Sequence, residues 1–138
     1  MRALDRLIGT RIVALPEAID SAVWPKGALV FRLAADEVLV TAEVGAAAIG
    51  DPHAIVELET GFSSVWLPPD AAIDFLEREC DWELPRGVRQ WGNDPGVYRA
   101  AFAQGLVAGL PVKVWFERDR VLLIVASPFA MDLMERLR

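Results

Sequence analysis

One cysteine, Cys80, and one histidine, His53, are all that 138 residues contain. An intrachain disulfide is excluded, and a Cys/His metal cluster is left almost without donors. Basic runs are lacking too. Fourteen Lys and Arg stand against twenty Asp and Glu, a net charge of −6, with no Lys/Arg-rich run or basic helix face. Phosphate recognition needs a positive footprint, so nucleic acid and anionic membrane surfaces are not expected partners. No apolar run approaches the roughly eighteen residues of a membrane span. Arg2, Asp5, Arg6 and Arg11 interrupt the first segment, so no signal-peptide apolar core is expected and a cytoplasmic location is the default. What is present is apolar residues, 54% of the chain against 25% charged. That suits one folded domain, residues 1–138, with a real core.

Catalytic constellations are also missing. "GFSSV" at 61–65 has no glycine at the offset a nucleophile elbow needs. A Ser/His/Asp triad would have to use His53, in a Pro-flanked loop. "GLVAGLP" lacks the glycine spacing and the following helix of a phosphate-cradling loop. Glu57 and Glu59 share a strand face, a spacing open to acid/base work but equally to two solvated carboxylates. Cys80 reads as a packing residue on a helix stripe rather than a reactive thiol. Arg86, Arg89 and Arg99 flank a loop and could hold a small anion. No catalytic residue and no metal ligand set is assigned.

Patterning gives the elements. Residues 11–15 read as a short extended segment stopped by Pro16, and "WPKG" as a turn. "ALVFRLAADEVLVTAEV" reads as two strands meeting near Ala34 to Glu37. "GAAAIGDPHA" is a loop or a single helical turn. "AIVELE" and "SSVWLP" are strand, with Gly61 expected to bend or bulge between them. "PPDAAIDFLERECDW" is the clearest helix: a proline in its first turn, Asp70 and Asp74 toward the positive end of its dipole, and Ala72, Ile73, Leu76 and Cys80 on one stripe. "DPGV" suits a type II turn. Residues 102–108 read as extended, although Ala and Gln leave helix open. "PVKVWFE" and "RVLLIVA" form a hairpin about Arg118 and Asp119. A final helix has Ser127 as expected N-cap and Pro128 at its first position. The predicted fold class is α+β: an antiparallel sheet with helices on one face, in ferredoxin-like βαββα-type units.

The hairpin raises the functional question. On "VKVWFE", Lys113 and Trp115 oppose Val112, Val114 and Phe116; on "VLLIV", Leu122 and Ile124 oppose Val121, Leu123 and Val125. If one set faces the helices, the other still carries large apolar groups. Something must cover it, either the N-terminal hairpin of residues 11–41 or a partner protein. Trp115, Leu122, Ile124 and Lys113, with Trp91 from the preceding loop, are the candidate partner interface.

Three segments resemble the gamma subunit of heterotetrameric sarcosine oxidase, a family related to the folate-binding aminomethyltransferase (glycine-cleavage T-protein) superfamily. "LAADEVLV" from Leu33 is similar to that family's "LGPDEWLL" segment. "IVELETGFSSVWLPPDAAIDFLERECDWEL" is similar to its strand–turn–strand–helix unit, with Leu76, Cys80, Glu83 and Leu84 at the matching positions. "LVAGLPVKVWFERDRVLLIVASPFAMDLMERL" is similar to the closing unit through Pro111, Val112, Trp115, Phe129, Ala130, Leu133 and Leu137. The likeness covers roughly residues 27–137. Ala34 and Ala35 stand where the pattern has Gly-Pro, Val38 where it has tryptophan, Pro128 where it has serine and Met134 where it has an aromatic.

The resemblance implies a truncated aminomethyltransferase-like fold and a non-catalytic accessory subunit of a heteromeric oxidoreductase. Such a subunit serves one-carbon metabolism by assembling with larger flavoprotein subunits that demethylate an amine. FAD, FMN, NAD and tetrahydrofolate would sit on those partners, with no cofactor on this chain. Two other readings are a stand-alone folate or small-anion binding module near the three arginines, and a homo-oligomer whose sheet faces pair.

Overall fold

The structure, a computed structural model, describes residues 4–84 and 101–138. Its strands are β1 (Asp5–Val13), β2 (Val30–Ala34), β3 (Glu37–Val40), β4 (Ile55–Leu67), β5 (Ala101–Val107), β6 (Leu110–Phe116) and β7 (Val121–Ala126). The α-helices among the described residues are α1 (Pro16–Ser21), α2 (Pro69–Glu79) and α3 (Ala130–Arg136). Short 3₁₀ turns occupy Ala46–Ala48 and Ser127–Phe129. The protein is mixed α+β, with an antiparallel sheet of seven strands in the order β2-β3-β1-β4-β7-β6-β5. The chain divides into two compact units, Leu7–Gly61 and Met1–Arg6 with Phe62–Arg138.

In the unit Leu7–Gly61, β1 pairs with β3 (Ile12 opposite Val38) and β3 with β2. Ile12, Val38 and Val40 bury one face against Ala18 and Ile19 of α1 and against Val44 and Ile49. Pro16 begins α1, where its missing N–H is harmless. The buried hydroxyl of Thr10 donates to the Ala42 carbonyl at 2.6 Å and accepts from the Val44 N–H at 3.2 Å. Asp51 anchors the other end of the loop layer. Its carboxylate accepts from the Leu15 N–H at 3.0 Å and the His53 N–H at 2.8 Å. Those two backbone donors, Leu15 first, hold the Asp51 pKa below the ordinary carboxylate range.

In the unit containing Phe62–Arg138, β4 pairs with β7, β7 with β6 and β6 with β5, all antiparallel. Val112, Val114 and Phe116 of β6 and Val121, Leu123 and Val125 of β7 form one buried face. Ala72, Phe75 and Leu76 of α2 and Leu133 of α3 pack on it. This is the expected arrangement of helices against one sheet face. β5 and β6 are joined by Ala108-Gly109, both left-handed at φ 53° and 78°, the geometry of a type I′ hairpin turn. The Ala108 N–H donates to the Glu79 carbonyl at 2.8 Å, tying this turn to the end of α2.

Several local expectations are corrected. Residues 16–21 are helical, and β1 begins at Asp5 rather than near Arg11. The two strand segments expected on either side of Gly61 form one continuous strand, β4, of 13 residues. The helix ends at Glu79. Cys80 lies past it in extended backbone, bridged to Val107, although its side chain still packs against the core. Ser127 caps no helix: a 3₁₀ turn starts there, and its hydroxyl pairs with Ser63 Oγ at 2.8 Å. The "DPGV" turn lies outside the described residues.

Candidate functional site

The register of three ladders builds the face of the sheet opposite α2 and α3. Leu122 lies between Trp66 of β4 and Trp115 of β6, and Phe102 of β5 lies beyond Trp115. Ile124 lies between Ser64 and Lys113, with Gln104 beyond. Directly opposed residues on neighbouring strands have Cβ atoms about 4.5–5.5 Å apart, so each row is a set of touching side chains. Leu122 and Ile124 are 2% and 0% exposed. The central strand is therefore apolar at every position because both of its faces are buried within the chain. On that second face Trp66 and Trp115 flank Leu122 from the neighbouring strands.

Polar groups finish that layer. The Arg120 guanidinium stacks 3.6 Å from the centre of the Trp66 ring, a close cation–π contact. Its Nε donates to Glu117 Oε1 at 2.8 Å. The other carboxylate oxygen of Glu117 accepts from Trp115 Nε1 at 2.8 Å. One carboxylate thus joins the two tryptophan positions that flank Leu122. At the other end of the face, the Lys113 ammonium lies 5.2 Å from the centre of the Phe62 ring. Lys113 and Trp115 are half-buried. A surface meeting this face would touch tryptophan, arginine and lysine, with Leu122 and Ile124 beneath them.

Of the residues singled out from sequence, Trp115, Leu122, Ile124 and Lys113 come together on this face. Trp91 lies outside the described residues, as do Arg86, Arg89 and Arg99. Sequence reasoning missed Phe62, Trp66, Glu117 and Arg120. Phe62 and Trp66 share strand parity, but only the β4–β7 register puts them beside the hairpin.

The remaining candidates fall elsewhere. Glu57 and Glu59 lie with Glu37 around Arg11, which ion-pairs with Glu37. That hydrogen bond first, then the charges of Glu37, Glu57 and Glu59, raise the Arg11 pKa above its ordinary value. His53 contributes its backbone N–H to Asp51. Burial raises the Cys80 pKa, away from thiolate character. Among the described residues no group of three or more His, Cys, Asp or Glu is placed to hold a metal, and no helix is long and apolar enough to cross a membrane. No family model matches the chain, and no curated protein matches it.

Proposed function

We propose that the chain is a non-catalytic, gamma-type accessory subunit of a heteromeric flavin-dependent amine-demethylating oxidase such as sarcosine oxidase. In this reading it supports assembly with larger cytoplasmic subunits that carry flavin, nicotinamide nucleotide and tetrahydrofolate. The order and spacing of the three segments between residues 27 and 137 favour this identity. The observation that carries the reading is the half-buried aromatic face of Phe62, Trp66 and Trp115, with Lys113 over Phe62 and Arg120 over Trp66. Aromatic residues and arginine are what interface cores are enriched in. A truncated aminomethyltransferase-like domain would use such a face to dock and would leave the chemistry to its partners.

The test is co-expression with the large flavoprotein subunits of a sarcosine oxidase-type enzyme, followed by size-exclusion chromatography. The expected result is co-elution in a flavin-containing complex, lost in Trp115→Asp and weakened in Lys113→Glu. Lys113→Glu alone should melt like the unaltered chain, which separates lost docking from lost folding. Independent migration of this chain and the flavoprotein subunits would refute the proposal.

A further inference from the structure

A cleft of about 480 Å³ opens beside the α2 core of the same unit, away from the residues of the aromatic face other than Trp66. Val65 and Leu67 of β4, Phe75 of α2 and Leu137 form apolar walls. Among the described residues its charged lining groups are Arg78, Arg138 and Asp74. Small-molecule sites commonly have this composition, with apolar walls, a volume of roughly 300–1,000 Å³ and a few convergent polar groups.

The charges of the lining decide which ligand. Among the described lining residues two guanidinium groups stand against one carboxylate, in a chain whose net charge is −6. The Arg78 guanidinium lies 5.6 Å from the centre of the Phe75 ring, so positive charge sits against the aromatic wall. Its Nε forms an exposed ion pair with the neighbouring Glu79 at 3.3 Å, which leaves the terminal guanidinium nitrogens as further donors. Guanidinium groups recognise carboxylates by paired hydrogen bonds, while Phe75 and the aliphatic walls favour an apolar body. We propose that this cleft binds a small amphipathic carboxylate, its aryl or alkyl body between β4 and α2 and its carboxylate on Arg78 with Arg138. The site is independent of the accessory-subunit reading, and neither stands or falls with the other.

The test is a titration of the full chain, followed by amide NMR, with 2-naphthylacetate, its uncharged amide and 2-naphthylmethylamine. The acetate should give saturable shifts clustered at Leu67, Ala71, Phe75 and Leu137. Because Arg78 is partly open to solvent, the amide should bind about fivefold more weakly, a modest charge effect, and the amine more weakly still. Ala71 lies on the exposed side of α2 and lines the cleft, so Ala71→Trp should fill it and abolish the shifts while leaving the rest of the spectrum unchanged. Arg78→Gln should reduce the acetate to the affinity of the amide. No saturable shifts, shifts centred elsewhere, tightest binding of the amine, or an unchanged acetate-to-amide ratio in Arg78→Gln would each overturn the proposal.

Discussion

Gly105 and Trp82 offer a sharp test of the packing between β5 and the segment that follows α2. The Trp82 indole lies over Gly105, and its Nε1 donates to the Leu106 carbonyl at 2.9 Å. A Cβ built on Gly105 would sit 2.5 Å from Trp82 Nε1, 2.8 Å from Cδ1 and 2.9 Å from Cε2. These separations lie far inside van der Waals contact, so Gly105→Ala must displace the ring. The displaced indole loses its hydrogen bond, about 0.5–1.5 kcal/mol, and part of its packing on the helix-side core, of the order of 1–2 kcal/mol. Against this, alanine in a strand gains about 0.5–1 kcal/mol over glycine through backbone entropy. The net expectation is a loss of about 1–2 kcal/mol.

The same substitution should change sign once the ring is gone. In a Trp82→Ala background nothing opposes the new methyl group, and only the entropic gain of about 0.5–1 kcal/mol remains. Urea unfolding of the four chains at constant m-value closes the double-mutant cycle, with an expected coupling of about 1.5–3 kcal/mol. If Gly105→Ala stabilises the parent chain, or shifts stability equally in both backgrounds, the Trp82–Gly105 contact is wrong.

Three further outcomes follow from local geometry. Thr10→Val keeps the shape but strands the Ala42 carbonyl and Val44 N–H. It should lower stability by about 1–3 kcal/mol, with Thr10→Ser losing less, by chemical denaturation. Ala108→Asn creates the Asn-Gly pair that a type I′ turn favours and relieves a left-handed alanine, so it should raise stability by about 0.5–1 kcal/mol, measured as an increased urea midpoint. Asp51, with its pKa depressed in the folded state, contributes stability that is complete above the unfolded value of about 3.9 and is lost as pH falls through the lower folded value. Asp51→Asn should therefore flatten the acid limb of a plot of stability against pH below about 4, and an unchanged limb would remove Asp51 from that role.

Much of the unit containing α2 was legible because its signals are local. Alternation along "VKVWF" separates Val112, Val114 and Phe116 from Lys113 and Trp115, and the buried cluster contains the first set. Pro68 and Pro69 with the stripe Ala72, Ile73 and Leu76 mark α2, and those three residues are buried. Elements governed by distant contacts were not legible. The strand β1 starts six residues before the segment expected from sequence and passes through Gly9, where a side chain would strike the Val40 carbonyl of β3. The helix α1 has only six residues, too few for a 3.6-residue period to emerge. Ser127 carries the local pattern of an N-cap, but a serine 64 positions away takes its hydroxyl. The aromatic face was half legible for the same reason. The hairpin residues follow from alternation, whereas Trp66 and Phe62 depend on the register of β4 against β7, strands separated by α2, β5 and β6.

The chemistry of that face bears on how it could dock without aggregating beforehand. A row of tryptophan and phenylalanine on an open sheet would be an adhesive surface. Here Arg120 covers Trp66, and Lys113 lies over Phe62, placing positive charge outermost. Glu117 fixes the arrangement by holding Arg120 through one oxygen and Trp115 through the other. A guanidinium stacked on an indole can keep that contact while it turns hydrogen-bond donors toward an incoming surface, so docking need not uncover the ring first. If the proposed assembly forms through this face, Glu117→Gln should weaken the hold on Arg120 with little change in burial. Arg120→Lys should lose the planar stack while keeping the charge. The two variants then distinguish a face that docks by preorganised geometry, sensitive to both, from one that docks by positive charge alone, which would tolerate Arg120→Lys.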